Sequence, residues 1–344
     1  MNTIKPIKAG TNKTSPKEPL TSAEMGKLWA TYMGNSMSKC ILAYYLRHVD
    51  DPDIKALLEN ASKLCAEFLN ITEGLLKEAN FPIPDGFNDN DVNLEAPRLF
   101  HDDFYVHYLK YAAKAGISIY SVGYPIVFRE DIVEFFRYCT QATLDLMDQI
   151  KEILMKKGLI MKPPYIPVPH KVDYAQKDFL NGFLGRVRPL HALEIAHLYD
   201  NIENNVTSKA FIMAFAQTAK NEKIRQLFQK GASMTHSNLV RYMQKLHDEN
   251  LPSPTFLDDL VTDSTFAPFS DKLMLFHKMD MFSMKIRAFG NSLAVNGRHD
   301  IGLLYSKSLM NITQFVTEAS DIMMENGWME KPPEAAERQN LASK

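Results

Sequence analysis

The residue pair best suited to metal chemistry is an ExxH motif, in which Glu194 and His197 lie one helical turn apart. Four-helix bundles that bind two iron or manganese ions use a glutamate from each of two helices and an ExxH pair from each of the other two. These hard metals prefer carboxylate oxygens, and the spacing directs both side chains inward. The sequence contains one ExxH motif, so the complete di-metal pattern is missing.

A weaker, irregular metal site in the second half of the chain is a competing hypothesis. His236, His277 and Asp280 could join Glu194 and His197 as ligands if their helices converge. Alternatively, histidines on amphipathic helices are surface or hydrogen-bonded core residues, and Glu194 interacts with the dipole of the first turn of its helix. The ligand-count requirement favours this alternative. We therefore expect no cofactor, with a metal bound by these residues as the competing hypothesis.

The periodicity of the sequence predicts long helices that would position these residues. From Ile132 to Leu154, apolar residues recur at alternating steps of three and four, which is typical of a helix that buries one stripe. A capping box that begins at Thr21 and an N-cap at Asp51 before Pro52 mark two helix starts. The predicted helices cover 21–48, 51–80, 99–122, 129–157, 189–218, 221–250, 268–295 and 298–326. This predicts an all-α fold of two antiparallel four-helix bundles.

The two bundles are predicted to arise from an internal duplication. Sliding the sequence by 170 residues superposes identical polar residues, namely Glu24, Asn35, Ser38 and Lys39 on Glu194, Asn205, Ser208 and Lys209. After a one-residue deletion, a second set matches, namely Arg129 and Asp131 with Arg298 and Asp300. A repeat of this length indicates two copies of a whole domain rather than a solenoid of short repeats.

The repeat also sets the predicted domain boundaries. The bundles cover 20–158 and 189–333, and a proline-rich, ordered linker covers 159–188. We expect the aromatic end of this linker to pack between the bundles. Residues 1–19 are expected to form a disordered tail, and residues 334–344 a second tail.

A polar row that includes Glu24, Asn35 and Ser38 borders the buried stripe of the first helix, and the second half repeats it. If the row points inward, Glu24 and Asn35 would line a polar pocket between helices, where bundles place ligands. Alternatively, asparagine and serine allow close approach of helices or fix their register. We favour this second interpretation.

The matched arginine and aspartate pairs open the fourth helix of each half. An aspartate in a first turn suits the helix dipole. Arg129 and Arg298 could pair with Glu24 and Glu194 or with a neighbouring carboxylate. A role in the fold is the favoured interpretation.

Composition excludes several classes of partner. Lys and Arg total 39 against 41 Asp and Glu, a net charge of −2, so there is no electrostatic argument for binding nucleic acid or an anionic membrane. Cys40, Cys65 and Cys139 show no CxxC spacing and are expected to be reduced structural thiols. The absence of a long apolar run predicts no membrane span. We expect a cytoplasmic protein.

Signatures of other chemistry are missing as well. The sequence has no glycine-rich nucleotide loop, no GxSxG motif and no EF-hand, so nucleotide, acyl-transfer and calcium chemistry have no support. Eighteen methionines make the interior adaptable, which suits an apolar ligand or a partner helix, although gap-filling in the core is the ordinary explanation.

Two local motifs carry a resemblance to a known family. They are the junction from Phe179 to Tyr199 and the Asn80–Pro84 turn, which is echoed at Asn250–Pro254. From Pro19 to Pro333 the chain resembles an uncharacterised family of spore-forming bacilli. The resemblance implies a domain of unknown function built from ferritin-like four-helix bundles, similar in architecture to spore coat protein F. It implies no catalytic residues.

Two classes of function therefore stay open. The favoured one is a non-enzymatic structural or interaction protein, associated with sporulation or the spore coat and located in the cytoplasm or the forespore. Its helical faces would bind a protein partner or a second copy, and a homodimer is compatible with them. The alternative is a ferritin-like protein that holds a metal or a small molecule at a degenerate site in its second bundle. The missing ExxH pairs favour the first class.

Overall fold

The computed structural model of the protein describes residues 18–338 and contains eight long α-helices within them. They are α1 Ser22–His48, α2 Pro52–Glu78, α3 Asp102–Gly123, α4 Glu130–Lys156, α5 Ala192–Thr218, α6 Glu222–His247, α7 Asp271–Val295 and α8 His299–Glu325. Helices α1–α4 pack together, as do α5–α8. The predicted all-α fold with two four-helix bundles is confirmed. Residues 1–17 and 339–344 of the expected tails lie outside the described residues.

Capping side chains set the helix boundaries. Thr21 and Glu24 form the predicted capping box of α1, and Asp51 caps α2. Helix α5 begins at Ala192, three residues after the predicted start at 189. The reason is that the Nδ1 atom of His191 accepts a hydrogen bond from the backbone N–H of Glu194 at 3.2 Å, so histidine takes the capping position.

The two bundles pack directly on each other. Helix α1 contacts α7, and α3 contacts α5. Since α1 matches α5 and α3 matches α7 in the repeat, the two contacts are equivalent, as expected for two copies related by a two-fold axis. The loops before α3 and α7 follow the same symmetry, because Asn93 N–H donates to Pro268 O at 2.8 Å and Thr262 N–H donates to Leu99 O at 3.0 Å. The interface between the two bundles of this chain is therefore approximately symmetric.

Residues 159–188 connect the bundles without forming a helix. The Phe179 ring packs 4.0 Å from the Arg188 guanidinium at the end of the second bundle, whereas Phe183 and Leu184 are 58% and 82% exposed. The expectation that this aromatic segment packs between the bundles is therefore wrong. The physical reason is that α1, α3, α5 and α7 form the interface themselves.

All three cysteines lie on helices of the first bundle. Cys40 and Cys139 are buried, Cys65 is partly buried, and none of the three forms a disulfide. Burial raises the pKa of Cys65 to about 12, which is typical of an unreactive structural thiol.

Between residues 18 and 338, no helix has the length and hydropathy needed to cross a membrane.

Candidate functional site

The five predicted metal ligands do not converge. Glu194 is engaged by neighbouring N–H groups at the start of α5, His197 faces α7 inside the second bundle, and His236 is exposed on α6. His277 and Asp280 lie on α7 at the interface with the first bundle. In the described part of the chain, no three His, Cys, Asp or Glu side chains are grouped so that they could hold a metal ion.

Glu194 joins the start of α5 to the start of α8. Its Oε1 accepts from the backbone N–H groups of Gly297 and Arg298 at 3.0 and 2.9 Å. The Arg188 guanidinium donates to both carboxylate oxygens at 2.8 Å. Burial alone would raise the pKa of Glu194, but these donors hold it below its ordinary value.

Glu24 has the matching position in the first bundle. Its Oε1 accepts from the backbone N–H groups of Phe128 and Arg129 at 2.9 and 2.8 Å, and its Oε2 accepts from Thr21. These hydrogen bonds outweigh burial and keep the pKa of Glu24 low. In both bundles the matched glutamate links the first helix to the fourth.

The matched arginines pair with neighbouring carboxylates rather than with these glutamates. Arg129 donates to the two oxygens of Asp131 at 2.9 Å. Arg298 donates to the two oxygens of Asp300 at 3.1 and 2.9 Å and also to Glu249 at 3.1 Å. Both arginines are buried, so these charge-assisted hydrogen bonds hold the start of each fourth helix.

The polar residues of α1 differ in their surroundings. Asn35 and Ser38 line a cavity, whereas Lys39 is exposed. The amide of Asn35 donates to Thr31 O at 2.8 Å and to the Tyr120 hydroxyl at 3.2 Å. The matched residues of the second bundle, Asn205, Ser208 and Lys209, are all buried.

The cavity has a volume of about 380 Å³ and lies inside the first bundle. Ligand pockets range from about 300 to about 1,000 Å³. Most of its lining is apolar and includes Met33, Met37, Leu42, Leu64, Phe68, Leu109, Ile119 and Leu146. The buried core of this bundle forms two separate clusters, and both contribute lining residues. The core of the second bundle belongs to one cluster.

Larger side chains stand at the corresponding positions of the second bundle. Lys285, Ile312 and Phe315 replace the cavity-lining residues Gly116, Thr143 and Leu146. The packing there is tight, because a Cβ atom on Gly231 would lie 2.5 Å from Ile212 and 2.6 Å from Phe315. The cavity is therefore a property of the residues of the first bundle and is not required by the fold.

The cavity reaches solvent between α1 and α7. On the symmetric side of the interface, between α3 and α5, Lys114 donates to Asp200 and Asn204 and fills the crevice. The repeat-matched residues between α7 and α1 are small, namely Ser283, Ala30 and Gly34. All three line the cavity, and a Cβ atom on Gly34 would contact nothing within 4 Å. Ser283 is exposed, so we place the entrance beside it.

Polar side chains of α7 stand near this entrance and along the interface. Asp280, Ser283 and Arg287 line the cavity, together with His277. The Nε2 atom of His277 lies 3.1 Å from the Tyr108 hydroxyl. Burial, with a smaller effect of the neighbouring Lys278, lowers the pKa of His277 to about 3, so its imidazole is neutral.

A family model for proteins of unknown function matches the chain twice, over residues 8–172 and 178–341. The chain belongs to the DUF3231 family. Each match contains one bundle of this DUF3231 protein, and the expected membership in a family of unknown function is confirmed. The ferritin-like architecture and the link to spore-forming bacilli stay predictions.

No curated protein matches the DUF3231 chain. Among solved structures, a "putative spore coat protein" from Bacillus halodurans C-125 is 17% identical, with a TM-score of 0.38. The alignment covers 44% of this chain and 98% of that chain. A similarity of this size does not support an argument about function.

Proposed function

We propose that the protein is a non-enzymatic binding protein that holds an apolar small molecule inside its first bundle. The observation that carries this proposal is the 380 Å³ cavity with its mostly apolar lining. Moving apolar surface of a ligand from water into such a lining is favourable by about 25 cal/mol per Å², so a small apolar molecule would gain free energy by entering the cavity. The sequence-based alternative placed a small-molecule site in the second bundle, whereas the cavity lies in the first.

The first test fills the cavity with the side chains of the second bundle. We expect the double variant Thr143→Ile with Leu146→Phe to weaken the binding of N-phenyl-1-naphthylamine, a neutral apolar probe, by at least about tenfold. Binding is measured by the increase in probe fluorescence and by the emission of Trp29, which lines the cavity. Trp328 is replaced by phenylalanine in every protein so that Trp29 is the sole tryptophan.

A matched control is available on the same helix. Leu144 is 41% exposed on α4 and does not line the cavity, so Leu144→Phe should leave binding unchanged. A second, independent variant closes the entrance by copying the other side of the interface, with Ala30→Asp, Gly34→Asn and Ser283→Lys. If the filled and closed variants both bind the probe as tightly as the parent protein, the cavity is not the binding site and the proposal is wrong.

A separate observation favours the interaction role predicted from the sequence. The linker exposes several large apolar side chains, with Tyr165, Val168, Val172 and Tyr174 each at least 80% accessible. These four side chains lie within ten residues of one another along the chain, and exposed apolar side chains that cluster are typical of contacts with other proteins. As a second candidate function we propose self-association through this segment. The spore-coat association, the cytoplasmic or forespore location and the identity of any other protein partner stay predictions.

The second test changes the linker without touching either bundle. We expect the parent protein to be dimeric in light scattering after size exclusion, and a variant with serine at Tyr165, Val168 and Tyr174 to shift to the monomer mass. Thermal unfolding should change little, because these side chains make few contacts within the chain. A parent protein that is already monomeric at high concentration would contradict self-association through the linker.

A further inference from the structure

The entrance of the cavity holds a guanidinium group with an unused donor. Arg287 lies on α7, where its Nε donates to Ser118 Oγ at 3.2 Å and its Nη1 donates to Ser283 Oγ at 2.9 Å. Its Nη2 is buried and has no acceptor among residues 18–338. Leaving a buried charged donor without an acceptor is unfavourable, so a group that supplies an oxygen at this point would be stabilised.

The charged residues of the cavity lining give it an excess of positive charge. Lys27 and Arg287 are cations, and Asp280 is the acidic residue of the lining. No ion-pair contact joins Asp280 to Arg287 within the described residues. Burial raises the pKa of Asp280 despite the opposing effect of Arg287. His277 is neutral, so it does not change this balance.

Two of the charged lining residues, Asp280 and Arg287, stand together on α7, whereas uncharged polar residues such as Asn35 lie on the helices of the first bundle. Asp280, Ser283 and Arg287 belong to α7, at the side where the cavity reaches solvent. The apolar lining comes chiefly from α1–α4, inside the first bundle. A ligand that matches both parts has a single polar head group and a long apolar body. The excess of positive charge selects an anionic head over a neutral or a cationic one.

We propose that the ligand is a long-chain monocarboxylate, with its carboxylate against Arg287 and its alkyl chain in the interior of the first bundle. This inference rests on the proposed function, because it needs the cavity to be a binding site. A guanidinium fork matches the planar geometry of a carboxylate and can donate two parallel hydrogen bonds to it. The single negative charge of the ligand would be balanced by Arg287.

The test compares three ligands with the same alkyl chain and different head groups. Dodecanoate, dodecanol and dodecylamine, each below its critical micelle concentration, compete with bound N-phenyl-1-naphthylamine at neutral pH. We expect dodecanoate to displace the probe at a concentration at least about tenfold lower than dodecanol. Arg287→Gln should remove this advantage and leave the affinities for dodecanol and for the probe unchanged. Arg287→Lys should retain part of the advantage, because it keeps the charge and loses the fork.

A matched control and the contrary outcomes separate this inference from the proposed function. Arg137 is exposed on α4 and donates to the Tyr124 hydroxyl, so Arg137→Gln should change none of the affinities. If the three ligands displace the probe equally, the carboxylate proposal is overturned while the cavity remains a binding site. The same conclusion follows if dodecylamine binds most tightly and Asp280→Asn removes its higher affinity. If the probe does not bind the parent protein at all, both proposals fail.

Discussion

Glu194→Gln is expected to lower the free energy of unfolding at pH 7 by about 3–5 kcal/mol, the usual cost of removing one partner from a buried ion pair. The carboxylate of Glu194 is fully buried and accepts five hydrogen bonds, two of them from Arg188. Glutamine keeps one acceptor oxygen and places an amide group, which is itself a donor, against the remaining N–H groups. Urea unfolding followed by circular dichroism measures the loss.

The stability difference between the parent protein and Glu194→Gln should depend on pH. The pKa of Glu194 in the folded protein lies below the ordinary value of 4.5, so the charged form stabilises the fold above that pH. This contribution is lost as the pH falls through the folded-state pKa. The difference in stability between the parent protein and Glu194→Gln should therefore shrink when the pH is lowered from 7 towards 3. An equal difference at every pH would show that packing, and not the charge, is responsible.

Glu24→Gln is the matched variant in the first bundle. Glu24 accepts hydrogen bonds from backbone N–H groups and from Thr21. Among residues 18–338, no arginine side chain pairs with it. We therefore expect a smaller loss, of about 1–3 kcal/mol. The exposed Glu152 on α4 serves as a neutral control. If Glu24→Gln costs as much as Glu194→Gln, the ion pair with Arg188 adds nothing.

The helices could be predicted from the sequence because their determinants are local. The apolar stripe from Ile132 to Leu154 and the capping box at Thr21 each act within one helix, and the predicted boundaries lie within three residues of those observed. The start of α5 was displaced because a histidine, which is rarely considered as a cap, takes that position at His191. Local signals therefore determine where helices lie in this chain.

The cavity could not be predicted in the same way, because it depends on how side chains from distant helices fill a shared space. Asn35 was identified as a candidate pocket residue from its place beside the buried stripe. Ser38, His277 and Asp280 are also singled out by the sequence, the last two as metal ligands, but Tyr120 and Arg287 carry no signal within their own helices. A comparison of matched positions would have helped, since Gly116 and Lys285 differ greatly in volume at one place in the repeat. The metal candidates also required convergence, which spacing along the sequence does not supply.

Lys285→Met is expected to raise the free energy of unfolding at pH 7 by about 1–4 kcal/mol, the range for replacing buried ion pairs by apolar residues of similar volume. Lys285 is 1% exposed inside the second bundle, and its amine faces the Phe282 ring, with its Nζ atom 4.7 Å from the ring centroid. Lys278 is also fully buried and donates to the backbone oxygen of Ser208 at 2.9 Å. Burial lowers the pKa of Lys285 to about 7, against an ordinary value of 10.5. Methionine keeps the volume of the stem and removes the amine.

The lowered pKa of Lys285 determines how the stability of the parent protein changes with pH. Between about pH 7 and pH 10.5 the unfolded chain binds a proton at Lys285 that the folded protein does not hold. The parent protein should therefore become more stable as the pH rises in this interval, by up to about 1.4 kcal/mol per pH unit from this group. Lys285→Met should lack this contribution, so the advantage of the variant should decrease between pH 7 and pH 9. Urea unfolding at the two pH values measures it.

Two further variants test whether the gain in stability comes from burial of the lysine amine or from the loss of a positive charge anywhere in the protein. Lys278→Leu installs the residue found at the matched position, Leu109, and should also stabilise the second bundle. Lys307 is exposed on α8, so Lys307→Met should change stability by less than about 0.5 kcal/mol and show no such pH dependence. If Lys285→Met instead destabilises the protein at pH 7 by more than the control, the surroundings of the amine stabilise it, and the expected cost of its burial is wrong. Lys285 occupies the position that matches Gly116, which lines the cavity of the first bundle. A gain in stability in Lys285→Met would therefore show that burial of the lysine amine at this position lowers the stability of the second bundle.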